Sequence, residues 1–235
     1  MIHLDNIQFG YGKEKLFDAL SLRLNAGTVY GLLGENGAGK TSLLKMVSGL
    51  VFPKSGQCRV LEHEPRQRQP SLMRQLYFVA DDPYLPTTTA RKFAEIYGVF
   101  YEKFDTPLFI HYLSELQVLP DQKLEKMSFG QRKKTVIAFA LATNVPLLLM
   151  DEPTNGLDIP SKSVFRKLVA GAMTPDRCIV ISTHQVRDLD TLIDNVLVLH
   201  KGRIVYQENL NKLAEASDSQ PNLEELFQTI TLQKP

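Results

Sequence analysis

Gly34-Glu35-Asn36-Gly37-Ala38-Gly39-Lys40-Thr41 fits the phosphate-binding pattern G-x-x-x-x-G-K-[ST]. The residues before it, Thr28-Val29-Tyr30-Gly31-Leu32-Leu33, read as a short buried strand. Those after it, Ser42-Leu43-Leu44-Lys45-Met46-Val47, carry apolar residues at helical spacing. The stretch therefore sits between a strand end and a helix start, where its mechanism needs it. Glycines let the backbone curl so that several N–H groups point at one anion. The helix N-terminus adds its partial positive charge, and Ser42, next after Thr41, is a further candidate for nucleotide binding. Lys40 is placed to reach the β- and γ-phosphates of a nucleoside triphosphate, and the Thr41 hydroxyl to ligate Mg²⁺.

Outward from this loop, composition sets the bounds. The chain has 235 residues, enough for one large domain or two small ones, and its 43% hydrophobic content allows a sizeable core. Its formal net charge is +1, so nothing in the charge balance calls for a nucleic-acid partner and none is expected. Cys58 and Cys178 are far apart and form no C-x-x-C pattern, which suits two reduced thiols in a cytosolic protein. Met1–Asn6 shows no basic region followed by an apolar one, so no signal peptide is expected. No run approaches the roughly 20 apolar residues of a membrane span. Any membrane role is expected to come through a partner.

Residues 2–30 read as an antiparallel β region. Ile2, Leu4, Ile7 and Phe9 precede a Gly10-Tyr11-Gly12 turn, and Leu20, Leu22 and Leu24 alternate with polar residues after it. Beyond the loop and its helix, Gln57–Leu61 and Leu76–Ala80 read as strands. From about Thr87 to Phe139 strand signals vanish, and helical periodicity runs through 88–101, 106–117 and 131–142. Apolar strands return at Leu147–Met150, ending in Asp151-Glu152, and at Cys178–Ile181, ending in Ser182-Thr183-His184. Val196–His200 and Arg203–Tyr206 flank a Lys201-Gly202 hairpin turn, and a polar helical tail starts from Asn209. Apolar strands separated by helices predict a mostly parallel sheet covered on both faces.

Ligands of such sheets sit at the carboxyl ends of the strands. Asp151 and Glu152 therefore belong beside the phosphate loop. Asp151 is expected to hold Mg²⁺ through water, and Glu152 to polarise an attacking water as general base. His184 ends another strand of the sheet and is expected to point into the same crevice, donating to the γ-phosphate. His3, His63, His111 and His200 cluster with nothing.

Gly34–Thr41, Ser128-Phe129-Gly130-Gln131, Leu147–Glu152, Asn155-Gly156-Leu157-Asp158 and His184 follow one another in this order. Their order and intervals resemble the ATP-binding subunit of an ABC transporter, over essentially the whole chain. The resemblance implies an α/β P-loop NTPase core, a mostly parallel sheet flanked by helices. To this it adds an N-terminal antiparallel β subdomain and an inserted α-helical subdomain. A single domain over 1–235 results, with the core at 1–83 and 143–235 and the helical, signature-bearing part at 84–142. It implies ATP and Mg²⁺ as cofactors, and a second copy facing the first head to tail with two ATP molecules between them. Ser128, Gly130 and Gln131 then meet the nucleotide held by the other copy's Gly34, Asn36, Gly37, Ala38, Gly39, Lys40 and Thr41. Asp158 carries contacts between the two sites, and Tyr11 stacks on adenine.

Two departures stand out. Met127 and Phe129 replace the leucine and glycine of many members. Asp81 replaces the glutamine that normally follows the Leu76–Ala80 strand; an aspartate oxygen can still serve Mg²⁺. The function expected is ATP hydrolysis powering a separate permease, more in keeping with an exporter given Asn222–Phe227, and located at the cytoplasmic face of the membrane. The alternative is a soluble ABC ATPase such as one that assembles iron–sulfur clusters. A GTPase is disfavoured because Asn211-Lys212 continues Leu213-Ala214 and not N-K-x-D.

Overall fold

The computed structural model describes residues 1–185, 189, 191–210 and 223–233. Strand β1 (Ile2–Phe9) pairs antiparallel with β2 (Phe17–Leu24) and with β4 (Ser55–Val60), giving a three-stranded sheet in the order β2-β1-β4. Alternating burial along β1 and β2 follows the period-2 pattern of their leucines and isoleucines. The second sheet has six strands in the order β5-β6-β7-β3-β8-β9. These are β5 (Leu76–Val79), β6 (Leu147–Asp151), β7 (Cys178–Thr183), β3 (Thr28–Leu33), β8 (Asn195–His200) and β9 (Arg203–Asn209). All neighbouring pairs are parallel except β8–β9, an antiparallel hairpin. At its turn Lys201 and Gly202 both have positive φ, 45° and 73°, as a tight hairpin of right-handed twist requires.

The antiparallel region expected over 2–30 is thus shorter than expected at one end. Thr28–Leu33 leaves it to become a central parallel strand, and β4 arrives from beyond the phosphate loop to complete the small sheet. β4 is half exposed and lies on the edge, unlike a buried strand.

The central strands are buried on both faces, and each divides its side chains between two cores. Val29, Leu148, Ile179 and Val196 face one; Tyr30, Leu147, Val180 and Leu197 face the other. On the second face lie α1 (Lys40–Val47) and the antiparallel sheet. The first face is covered by α5 (Phe129–Ala142) and α6 (Ile159–Gly171), with α3 (Ala90–Tyr97) and α4 (Thr106–Glu115) packed beyond them. Phe139 of α5 is the hub, in ring contact with Tyr77, Phe93, Tyr101, Phe104 and Phe109. Most aromatics of the inserted segment are therefore core. α2 (Pro70–Met73) is a single turn before β5, and α7 (Leu223–Gln233) packs Leu226, Phe227 and Ile230 on the first core. The expected tail between 211 and 222, Asn222 included, lies outside the described residues.

Candidate functional site

Gly39 closes the loop in a left-handed conformation, φ 106°, and a Cβ there would stand 2.6 Å from the Phe17 ring. Only glycine fits both the dihedral and the space. The helix it introduces, α1, has no side-chain cap, so the N–H groups of its first turn stay open to an anion. By contrast α3, α4, α5 and α6 are each closed by a capping side chain: Thr89, Asp105, Ser128 and Asp158 respectively. The buried Lys40 ammonium folds back over the loop, donating to the Gly34 carbonyl at 2.7 Å and the Glu35 carbonyl at 3.2 Å. It also stands 3.4 Å from Glu152 Oε1.

Asp151 ends β6, and its Oδ1 accepts from the Ser182 hydroxyl of neighbouring β7 at 2.6 Å. Glu152 follows with φ 44°, a left-handed dihedral that costs a side-chain-bearing residue energy and persists only when its surroundings fix it. Its N–H donates to Ser182, and its carbonyl accepts from Asn155 N–H and from the Lys133 ammonium. Glu152 Oε1 is shared by Lys40 and by His184 Nδ1, the latter at 2.9 Å. Its other oxygen, Oε2, is buried and has no hydrogen-bond partner. An ionised Glu152 makes Nδ1 of His184 the donor, so a neutral ring has only a lone pair at Nε2. Donation from His184 to a phosphate then needs the imidazolium or a re-aimed ring.

A cleft of about 500 Å³ joins these groups. Tyr11, Asn36, Gly37, Gly39, Lys40, Thr41 and Ser42 line it, together with Asp81, Glu152 and His184. Glu35 of the loop motif and Asn155 of the Asn155–Asp158 segment also line it, as do Glu14 and Leu16, which carry no sequence signal that singles them out for this. Gly34, Ala38 and Asp151 are not among the lining residues; Gly34 contributes through its carbonyl. Tyr11 is 54% exposed, stands edge-on to Phe9, and has its hydroxyl 3.2 Å from Ser42 Oγ.

Ser128, Gly130, Gln131 and Asp158 lie outside this cleft. Ser128 and Gln131 form a capping box on α5: Ser128 Oγ accepts from Gln131 N–H, and Gln131 Oε1 accepts from Ser128 N–H. Gly130 lies against the Asn155–Asp158 turn, where a Cβ would come within 2.7 Å of the Gly156 carbonyl oxygen. Phe129 covers Gly156 from the same side. Asp158 caps α6, and hydrogen bonds from Ser161 hold its carboxyl below the usual range. Met127 is buried and accepts the Thr135 hydroxyl on its sulfur. Cys58 and Cys178 are buried, which pushes both thiols up to about 12 and keeps them protonated and inert.

Asp81 is in the cleft, but its Oδ1 is bound by the Lys133 ammonium at 2.7 Å. Lys133 carries no motif that singles it out in the sequence. Its signal is positional: it stands four residues after Phe129 and four before Ile137, on the buried stripe of α5.

Among the described residues no three His, Cys, Asp or Glu side chains group into a metal cage. Mg²⁺ needs none, since it keeps water and phosphate oxygens and takes only one or two protein ligands. Thr41, Asp151 and Asp81 have the hard-oxygen chemistry for that.

A mostly parallel sheet with an anion loop after β3 and a carboxylate pair at the end of β6, with β7 between the two strands, defines a P-loop nucleoside triphosphatase. The family model for ABC transporters (ABC_tran) matches residues 17–155. The ABC transporter ATP-binding protein NatA of Bacillus subtilis is 31% identical over 219 residues, 88% of this chain and 89% of the relative. The bacitracin transport ATP-binding protein BcrA of Bacillus licheniformis is 33% identical over 202 residues, 83% of this chain and 65% of the relative. A solved dimeric cassette in a post-hydrolysis state with ADP and Pi superposes with a TM-score of 0.78 at 21% identity, covering 89% of this chain and 99% of that one. The chain belongs to the ABC transporter family, as an ATP-binding subunit.

Proposed function

We propose that this chain is the Mg²⁺-dependent ATPase that powers a separate membrane permease in the direction of export. It acts as one of two such domains that close head to tail over two ATP molecules. The observation that carries the reading is the open N-terminus of α1 beside Glu152, whose Oε2 is buried and unspent. An unused acceptor next to a triphosphate site is where an attacking water is polarised.

Phosphates entering the loop compete for the Lys40 ammonium, which now turns to its own chain's carbonyls and to Glu152. Glu152 is thereby released as the general base, with His184 still fixing Oε1. Mg²⁺, when bound, draws charge from the phosphate oxygens; Thr41, Asp151 and the second oxygen of Asp81 are its proposed holders. Tyr11 offers an exposed ring to adenine. Asn36, Gly37, Ala38 and Gly39 supply backbone donors, and Ser42 adds its first-turn N–H. Ser128 spends a lone pair on its own cap and keeps its hydroxyl hydrogen for the partner copy's γ-phosphate. Gly130, Gln131 and Asp158 present the same surface, with residues 84–142 as the signature-bearing lobe of a single domain. Among the described residues no helix is long and apolar enough to cross a membrane, so the permease is taken as a separate chain, reached from the cytoplasmic face.

Glu152→Gln tests this. Turnover falls by about 100-fold or more, the scale for loss of a general base, while ATP stays bound and light scattering shows an ATP-dependent dimer. Wild-type turnover would remove Glu152 as the base, and a monomer under saturating ATP would remove the sandwich. Co-purification with an integral membrane protein checks the permease.

A further inference from the structure

The two departures seen in the sequence, Asp81 and Phe129, meet at one side chain. Lys133 is fully buried, and its ammonium donates to Asp81 Oδ1 and to the Glu152 carbonyl, each at 2.7 Å, while standing 5.3 Å from the centre of the Phe129 ring. We infer that Lys133 is a positioning residue for hydrolysis: it fixes the strained Glu152 peptide and ties it to the signature helix and to the loop after β5. The aspartate and the phenylalanine are then one adaptation, an anion and a π face that together accommodate a buried cation.

The geometry supports a positional role beyond a simple ion pair. Glu152 holds a φ of 44°, and its peptide is pinned by Ser182 on one side and by Lys133 and Asn155 on the other. A dihedral of that kind relaxes when one of its restraints is removed. Lys133 stands on α5, whose first turn carries Ser128 and Gly130, so the same ammonium links both halves of the composite site within one chain.

The two partners differ in exposure, and this makes the inference testable. Lys133 is fully buried, whereas the Asp81 side chain is 49% exposed. Removing the lysine leaves a carboxylate that water can solvate; removing the aspartate's charge orphans a buried cation. The experiment measures melting of nucleotide-free, metal-free protein, the Kd for ATP, and kcat with Mg²⁺ for Asp81→Asn, Lys133→Met and the double variant. In melting, Asp81→Asn is expected to cost more than Lys133→Met, and the double variant to recover toward the Lys133→Met value. In turnover, Lys133→Met lowers kcat by about tenfold or more, as a misplaced catalytic group does, with the Kd for ATP changed less than about threefold. The double variant does not recover kcat.

Equal melting losses for the two single variants would overturn the buried pair. Wild-type kcat in Lys133→Met, or a Kd for ATP that worsens in proportion to kcat, would overturn the positional role. The kinetic arm rests on the ATPase reading above, and the melting arm does not. If Glu152→Gln turns over normally, that reading fails whatever Lys133→Met does.

Discussion

Helices α1 and α5 are the two whose N-termini are proposed above to meet phosphate, and they are finished differently. α1 begins at a glycine with no capping side chain, so its first-turn donors have no partner within the chain. α5 begins at Ser128 with a complete capping box that uses the N–H groups of Ser128 and Gln131 and leaves those of Phe129 and Gly130. The first end forgoes roughly 1 kcal/mol of capping stability in exchange for an anion site. The second keeps its cap and retains only a hydroxyl hydrogen and a few outward donors. On the proposed reading, one is a site by its own means and the other a fragment completed by a ligand held on a second copy.

The largest effect belongs to α1. Lys40→Ala should weaken ATP binding by roughly 100-fold, about 2.7 kcal/mol, because a buried charge-assisted contact is lost. Isothermal titration on the single chain reads this directly. A loss under about threefold would mean the loop binds through backbone donors alone, and the open end would matter more than its lysine.

Gly130→Ala probes the other helix. The added methyl would stand 2.7 Å from the Gly156 carbonyl oxygen, a backbone atom that cannot swing away, so α5 or the Asn155–Asp158 turn must shift. Overpacking of this kind costs about 1–3 kcal/mol. Titration should show ATP binding by the single chain unchanged within about twofold, because α1 is untouched. Turnover and the ATP-dependent dimer should fall about tenfold, the size of a 1.4 kcal/mol loss at the interface. Equal losses in binding and turnover would break the distinction between the two helices.

What the sequence made legible was local. The strand–loop–helix around Gly34–Thr41, the strand-end Asp151-Glu152 and the Lys201-Gly202 turn each declare themselves within a dozen residues, because the chemistry and the backbone requirement coincide there. Ser128 as a cap is legible for the same reason. Pairing across distance was not. β4 joins β1 from the far side of the phosphate loop, and Thr28–Leu33 belongs to a different sheet from the strands it follows. Alternation gives a strand its faces but not its neighbours. Nor is Asp81 understood alone: as an isolated departure it reads as an oxygen that can still serve Mg²⁺, and only the fold supplies Lys133, 2.7 Å away. The strained φ of Glu152 carries no sequence mark, since the residue is there for its carboxylate and the dihedral is imposed by what surrounds it.

The smallest effect is expected at Tyr11, and it separates two uses of one side chain at the α1 end. The ring is exposed toward the cleft and held edge-on by Phe9, while the hydroxyl reaches Ser42 in the first turn of α1. If the ring stacks on the base, Tyr11→Ala should weaken ATP binding about fivefold, near 1 kcal/mol. Tyr11→Phe keeps the face and should cost about twofold, the low end for a single neutral hydrogen bond. Stacking tolerates any base, so GTP should weaken in the same proportion as ATP. A Phe variant as impaired as the Ala variant would assign the effect to the Ser42 contact, making Tyr11 a brace for the α1 N-terminus and not a platform for adenine. Loss of ATP alone with GTP unchanged would also rule out stacking, since only a polar contact to the base edge distinguishes the two.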